Sequence, residues 1–321
     1  MMNGEKMGTI EKINTWFKRY PRLNAIKTHL ALKVRLVQFI RLMEKLTADG
    51  IAQVIKLTSR IPFLKRWVID IYCGIELTHT VRDEQHQYTF LIPSSHCFDR
   101  AQTLFRKEPA TLKWIDSFVE DSVFYDIGAN VGLYTVYAGV NNKAKTILAF
   151  EPETLNYSIL NRNIFLNKLQ DKVMALNLAF SDSIKLDRLY VSLWDAGSSL
   201  HNFGSKTDYI ERLNQGLSQG CLSFSIDLFI EQFNPPFPQH IKIDVDGLEN
   251  LILQGARETL KDARLKSVLI EMDDERIEDR HIRTMLQDMG FQVVVKTHTG
   301  LYESESKVYN YIFSRLLAVG V

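Results

Sequence analysis

The chain has 321 residues and a net charge of +1, and its 45% apolar and 24% charged residues are typical of a globular protein with a large buried core. It lacks the uninterrupted run of about 18 apolar residues that a membrane-spanning helix needs, and its first residues lack the apolar centre of a secretory signal. Three widely separated cysteines disfavour a disulfide framework and exclude a Cys-x-x-Cys metal site, so we expect a cytoplasmic protein.

Residues 1–66 form a basic extension with 14 Lys and Arg against 4 Asp and Glu, a net of +10, whereas the rest of the chain has a net of −9. Helices are predicted at 9–19 and 23–47, and apolar residues recur at helical spacing over 32–46. This stripe favours packing on a neighbouring helix or the catalytic domain, or peripheral contact with an anionic membrane or a lipid-linked glycan. Nucleic acid is unlikely, since no aromatic residues interleave with the basic ones.

Residues 67–120 are predicted to be a lead-in of short strands followed by helices. The strands fall at 67–72, 75–81 and 88–92, and the helices at 98–106 and 109–119.

Residues 121–321 alternate strands and helices, a pattern that predicts a mainly parallel sheet with helices on both faces. Seven strands are predicted, the last of them antiparallel, at 122–126, 146–151, 173–178, 240–245, 266–271, 291–295 and 308–314. A long insert at about 187–239 separates the third strand from the fourth, and loops of that length are usually functional or disordered.

The end of the first core strand has the pattern Asp126-x-Gly128-x-Asn130-x-Gly132, and the next strand ends in Glu151. Glycine lets a tight strand-to-helix turn form and a ligand approach the backbone closely. A carboxylate at the end of the second strand is placed to accept hydrogen bonds from ribose hydroxyls. The dinucleotide spacing Gly-x-Gly-x-x-Gly is absent, and an acid beside the turn favours a cationic cofactor over a pyrophosphate.

Further blocks follow in order along the chain, and together with this turn they resemble the FkbM family of S-adenosylmethionine-dependent methyltransferases over roughly residues 88–315. The blocks lie at 149–153, 161–167, 179–182, 225–229, 240–249 and 268–272. The resemblance implies a Rossmann-like class I methyltransferase fold, S-adenosylmethionine as cofactor, and O-methylation of a hydroxyl on a sugar, glycan or glycolipid-type acceptor. It also implies that Ser181 and Asp182 lie near the adenine.

Transfer of a methyl group to an alcohol requires close positioning of the hydroxyl and gains from a general base. Asp244, at the end of the fourth core strand, is the first candidate for that base. Lys242 lies two residues earlier on the same face and is expected to pair with it. Glu271, at the end of the fifth strand, and His201, in the insert, are further candidates for base or acceptor contact.

Each of these residues also has a purely structural interpretation. Asp244 could cap the following helix, Glu271 could be a structural acid, and His201 could be an ordinary surface histidine. Oxygen ligands from Asp244, Asp246 and Glu271 could gather a divalent cation, but no metal-ligand spacing occurs, so no metal is predicted.

Two other functions remain open at the level of sequence. One is N-methylation of protein or nucleic acid, suggested by Asn-Pro-Pro-Phe at 234–237. That box precedes the fourth strand instead of ending it, so we interpret it as a connecting loop. The other is a non-catalytic cofactor-binding module tethered by the basic extension.

Overall fold

A computed structural model describes residues 50, 52–53, 55–56, 61–205, 216–298 and 307–315. The chain divides into two compact units, Met1–Ile75 and Glu76–Val321. The helices predicted at 9–19 and 23–47 lie outside the described residues. Within the described part, no helix is both long and apolar enough to cross a membrane.

In the first unit the described part is mainly helix α1, Pro62–Gly74. The strand predicted at 67–72 is therefore wrong. A short apolar run does not by itself distinguish a strand from a helix. Here Pro62 occupies the first helical position, where its missing N–H costs nothing, and Arg66 pairs with Asp70 one turn later at 3.1 Å.

The second unit is built on a seven-stranded sheet. Its strands are β3 (Ser122–Ile127), β4 (Ala144–Phe150), β5 (Val173–Leu176), β10 (His240–Ile243), β11 (Ser267–Asp273), β12 (Phe291–His298) and β13 (Val308–Arg315). Their spatial order is β12-β13-β11-β10-β3-β4-β5. Strand β13 runs antiparallel to both of its neighbours, and the other pairs are parallel. The α/β, Rossmann-like fold with one antiparallel strand at the end of the chain is confirmed.

Helices cover both faces of this sheet. They are α5 (Leu133–Val140), α6 (Thr154–Leu166), α7 (Ile226–Phe233), α8 (Glu249–Gln254), α9 (Arg257–Lys261) and α10 (Ile277–Asp288). Side chains alternate across the central strand β3, so Phe124 belongs to one apolar core while Tyr125 and Ile127 belong to the other. Burial on both faces explains why the central strands are continuous apolar runs.

The lead-in to the sheet is a hairpin followed by three helices. The elements are β1 (Thr78–Arg82), β2 (Gln87–Leu91), α2 (Ser95–Gln102), α3 (Leu104–Lys107) and α4 (Pro109–Asp116). Two asparagine side chains, one in α6 and one at its C-terminal cap, fix the hairpin: Asn163 accepts from Leu91 N at 2.7 Å and Asn167 accepts from Thr89 N at 2.9 Å. In α4, the last helix of the lead-in, the Trp114 indole donates to Ser267 Oγ at 2.8 Å. These contacts hold α2 and α3 in place.

The insert forms a second sheet of four strands, in the order β6-β9-β7-β8. The strands are β6 (Ala179–Phe180), β7 (Lys185–Tyr190), β8 (Asn202–Phe203) and β9 (Ser218–Phe224). The connection between β7 and β8, residues 191–201, is called the strap below. The box at 234–237 is irregular backbone before β10, as predicted, and Pro236 O accepts a hydrogen bond from the Tyr125 hydroxyl at 2.9 Å.

Candidate active site

The turn after β3 brings the carboxyl ends of the two central strands into contact. Gly128 has φ +77°, and a Cβ at this position would lie 1.9 Å from the carbonyl oxygen of Asp244. Any larger residue is therefore excluded both by backbone conformation and by space. Gly132, with φ +87°, instead lies against α6, where a Cβ would meet Leu160 Cδ1 at 2.5 Å. Gly128 lines the cleft at this edge of the sheet, whereas Gly132 serves the packing of α5 on α6.

Glu151 follows β4 and lines the same cleft with only 4% of its surface exposed. Its Oε2 accepts the backbone N–H of Asn130 at 2.8 Å, and its Oε1 accepts that of Glu153 at 2.8 Å. Burial raises the pKa of Glu151 to about 8, although both backbone hydrogen bonds favour the ionised form. Each oxygen keeps a further lone pair for a ligand hydroxyl.

Asn130 joins this turn to the strap. Its φ of +51° is in the left-handed region that asparagine tolerates, and its side-chain amide donates to Ser198 O at 2.7 Å. It also lines the cleft.

Asp126 lies behind the turn and does not line the cleft. It is 1% exposed, its Oδ2 accepts from the Thr135 hydroxyl at 2.6 Å, and its Oδ1 has no hydrogen-bond partner among the described residues. Burial raises its pKa, against the attraction of the Lys242 ammonium.

Ser181 and Asp182 also lie outside the residues that line the cleft. Ser181 is buried against the Ser223 hydroxyl at 3.2 Å, and Asp182 forms an exposed pair with Lys185 at 2.6 Å. The apolar wall near Glu151 comes from other residues, namely Phe150, Leu178, Ala179, Phe180 and Phe203.

A buried ion pair stands at the end of β10. Lys242 Nζ lies 2.8 Å from Asp244 Oδ2; the lysine side chain is 2% exposed and the aspartate 30%. Burial alone would lower the pKa of Lys242, but the carboxylates of Asp244, Asp126 and Glu108 raise it above its ordinary value. Burial likewise works against ionised Asp244, yet the Lys242 ammonium holds the pKa of Asp244 below its usual range. Asp244 therefore presents an ionised carboxylate to the cleft.

Three further acids lie close to this pair. Burial and neighbouring carboxylates raise the pKa of Asp246 to about 6 and that of Glu271 to about 9. Glu249 is buried beneath the turn, where it accepts from Gly247 N at 3.1 Å, and burial raises its pKa to about 7. Asp246 and Glu271 line the cleft. No group of three or more acidic, histidine or cysteine side chains in the described residues is arranged to hold a metal ion.

The strap carries His201 to the opposite side of the cleft. Ser192 N donates to His201 Nδ1 at 3.2 Å, so the ring accepts at that nitrogen. Burial lowers the pKa of His201 to about 4, which keeps the imidazole neutral near pH 7. The structure thus brings Asn130, Glu151, His201, Asp244 and Glu271 to one cleft, with an empty volume of about 910 Å³ that is partly open to solvent.

Besides the Asn130 amide bond, five hydrogen bonds join the strap backbone to side chains elsewhere in the unit. Gly197 N donates to Asn156 Oδ1 at 2.7 Å, and Leu200 N donates to Asp246 Oδ2 at 2.6 Å. The other three end on strap carbonyls: Asn156 Nδ2 on Ser198 O, Ser94 Oγ on Ala196 O, and Arg100 Nε on Gly197 O.

Sequence reasoning missed Arg100 and Lys107, which line the cleft from α2 and α3. They belong to no motif. Their spacing of seven residues on consecutive helices could have indicated them. The same two helices bury Cys97, Ala101 and Leu104, which leaves the two cations on another side. That spacing places both cations on one side of the lead-in.

Comparison with known proteins gives a consistent assignment. Residues 126–293 match the family model described as the methyltransferase FkbM domain. Among characterised proteins, Methyltransferase 1 of Beauveria bassiana is 26% identical over 191 residues, which cover 56% of this chain and 76% of that protein. The 31-O-demethyl-FK506 methyltransferase FkbM of Streptomyces tacrolimicus is 21% identical over 196 residues, 54% of this chain and 74% of that protein.

Among solved structures, the chain is similar to methyltransferase FkbM from Methylobacillus flagellatus KT, with 15% identity and a TM-score of 0.42. The match covers 61% of this chain and 44% of that one.

Proposed function

Since the chain belongs to the FkbM methyltransferase family, we propose that it transfers a methyl group from S-adenosylmethionine to a hydroxyl oxygen of a carbohydrate, glycan or glycolipid-type acceptor. The observation that carries the proposal is an ionised carboxylate, Asp244, in the same cleft as the Glu151 carboxylate and the Gly128 turn.

The residues present fit S-adenosylmethionine. The Cβ-free position at Gly128 leaves the backbone open to close approach, Glu151 offers acceptor lone pairs to ribose hydroxyls, and Phe150 and Phe180 supply an apolar wall for the adenine. The ionised carboxylate of Asp244 gives this side of the cleft a negative charge suited to a sulfonium cation. The bound cofactor supplies an electrophilic methyl carbon on a positively charged sulfur, with a neutral leaving group.

The roles of the acids follow from their protonation. Asp244 is ionised, so it orients the acceptor hydroxyl and accepts its proton, while Lys242 positions the carboxylate from 2.8 Å. Glu271, whose pKa is raised to about 9, is protonated near neutral pH and therefore donates a hydrogen bond to the acceptor instead of accepting a proton. His201 is neutral and contacts the substrate that accepts the methyl group.

The alternative of N-methylation has no support at the cleft. Residues 234–237 precede β10 and are not among those that line the cleft. For the basic extension, residues 1–66, we retain the proposal of peripheral contact with an anionic membrane or a lipid-linked glycan. It rests on the net charge of +10 and on the apolar residues at helical spacing over 32–46.

Calorimetry with S-adenosylhomocysteine and transfer of labelled methyl groups to a panel of glycans test the proposal. Glu151→Gln should weaken cofactor binding by about 1–3 kcal/mol, because the ribose hydroxyls lose one of two carboxyl oxygen acceptors. Asp244→Asn should bind cofactor normally but slow transfer by about 10²–10⁴-fold. Asp182→Asn is the matched control, since that acid lies outside the cleft. Label recovered on nitrogen, or wild-type protein that fails to bind S-adenosylhomocysteine, would refute the proposal.

A further inference from the structure

We infer that the acceptor carries an oxyanion, a carboxylate or a phosphate, next to the hydroxyl that is methylated, and that Arg100 and Lys107 bind it. The inference rests on the proposed function and adds the chemical class of the acceptor.

A second cavity adjoins the cofactor cleft. It is lined by the α2–α3 segment on one side and the strap on the other, and it shares Arg100, Lys107 and Ser199 with the cleft. Arg100 and Lys107 therefore lie where the cofactor cleft and the second cavity meet. A molecule whose hydroxyl lies beside Asp244 extends naturally past them into the second cavity.

The two spaces differ in charge. The cofactor cleft contains the carboxyl groups of Glu151, Asp244, Asp246 and Glu271. Asp99 is the acidic residue among the described residues that line the second cavity. Its Oδ1 already accepts a hydrogen bond from Gln102 Nε2 at 2.9 Å. Arg100 and Lys107 face both spaces. The cofactor cleft, which has more carboxyl groups, suits a sulfonium cation, and the second cavity, which has fewer, suits an anion.

Arg100 is available for such a ligand. Its Nε donates to Gly197 O at 2.6 Å, and within the described residues its guanidinium forms no ion pair with a carboxylate. The Nε bond holds the guanidinium in place and leaves the terminal nitrogens to form the planar fork that matches a carboxylate or phosphate.

Lys107 adds a second positive charge. Its Nζ lies 3.4 Å from Glu108 Oε1 and its side chain is 38% exposed. The ammonium therefore keeps donors for a ligand in the second cavity. Arg100 and Lys107 each lower the pKa of Asp244 and Asp246, which places both cations within electrostatic reach of the base.

The ridge of α2 and α3 also contains a matched cation that does not face either space. Arg106 is exposed and lines neither cavity. Neutralising it changes the net charge of the protein as much as neutralising Lys107 does, so it separates a local site from general electrostatic attraction.

The test is calorimetric titration of the full-length protein, saturated with S-adenosylhomocysteine, with glucose, glucuronate, glucose 6-phosphate and inorganic phosphate at low and high salt. The two charged sugars should bind at least about tenfold more tightly than glucose, as expected for a charge-assisted hydrogen bond. The preference should shrink at high salt. Comparing glucuronate with glucose 6-phosphate shows which oxyanion the site takes.

Four variants decide where the preference originates. Arg100→Gln and Lys107→Gln should each reduce the preference by about tenfold or abolish it, while Arg106→Gln should leave it unchanged. Arg100→Lys keeps the charge but removes both the planar fork and the guanidinium bond to Gly197 O, so it should show a preference between those of the parent and Arg100→Gln.

The inference is overturned if glucose binds as well as its charged analogues, if no charged probe binds, or if Lys107→Gln keeps the full preference. It is also overturned if Arg100→Lys loses as much as Arg100→Gln, since the positive charge at this position would then contribute nothing to the preference. These failures differ from failure of the proposed function, which would appear as absent S-adenosylhomocysteine binding before any sugar is added.

Discussion

Replacing Lys242 with methionine tests how Asp244, the proposed base, is kept ionised. The ammonium is 2% exposed, lies 2.8 Å from Asp244 Oδ2, and has the Tyr134 ring 5.1 Å away. Methionine has a similar length and no charge. Lys242→Met therefore leaves the cavity filled but leaves the Asp244 carboxylate without its cation.

The expected cost follows from the distance. Two unit charges 2.8 Å apart attract by about 6 kcal/mol at an effective dielectric constant of about 20. Desolvation of both groups offsets much of that attraction, and truncating one partner of a buried pair typically costs about 3–5 kcal/mol. We expect Lys242→Met to lose that amount at pH 8.

The pH dependence has a definite sign. The pKa of Asp244 is lowered in the fold, so its contribution is present above its unfolded value and is lost as the pH falls through the folded value. The pKa of Lys242 is raised, so its contribution is present below its unfolded value and is lost only as the pH rises through the folded one. The penalty in Lys242→Met should therefore be full at neutral pH and should diminish below about pH 4.

Urea unfolding of four proteins gives the answer: the parent, Lys242→Met, Asp244→Asn and the double variant. The double variant should be more stable than Lys242→Met, because it no longer holds the Asp244 carboxylate without its cation. Lys185→Met is the control, since its pair with Asp182 is exposed and should cost less than about 1 kcal/mol. A coupling energy near zero, or equal losses in the two lysine variants, would refute the reasoning.

Two further predictions concern the same cleft. Gly128→Ala should lower the melting temperature sharply even without cofactor, because its Cβ would lie 1.9 Å from Asp244 O at φ +77°, whereas Gly220→Ala, with nothing within 4 Å, should not. Equal melting temperatures would mean that the turn has more room than its geometry indicates. Glu271→Gln should be more stable than the parent by about 4 kcal/mol at pH 8 and similar at pH 5. The raised pKa of about 9 means that the parent loses stability as pH rises from about 4.5, and a difference independent of pH in thermal unfolding would contradict this.

Much of the cleft was predictable because it depends on local pattern. An apolar run that ends in an acid predicts a strand, and this pattern indicates Glu151. A glycine soon after such a run predicts a tight turn, and this pattern indicates Gly128. The alternation of side chains along a strand predicted that Lys242 and Asp244 share a face, and the structure has them paired.

The remaining residues depend on contacts distant in sequence. Strand β5 ends at Leu176, two residues earlier than predicted, and the chain then enters the second sheet, so Leu178 and Phe180 line the cleft in place of Ser181 and Asp182. No local pattern encodes where the second sheet begins. The placement of α2 and α3 likewise depends on side-chain hydrogen bonds from α6 to the hairpin.

The attachments of the strap have a consequence for how the catalytic centre is assembled during folding. Its bonds to Ser94 and Arg100 close loops of 102 and 97 residues, and its bond to Asp246 closes one of 46. Long loops are costly to close and form late, whereas the parallel strands β3 and β4 are neighbours in sequence. The central sheet is thus expected to form before the cleft has its outer wall. A shortened protein that begins at Ser122 would lose the strap anchors at Ser94 and Arg100, the cations of α2 and α3, and the lead-in side chains that are buried in one core of the sheet. Such a fragment would lack both a complete core and a finished cleft, so the lead-in belongs to the smallest active unit of this protein.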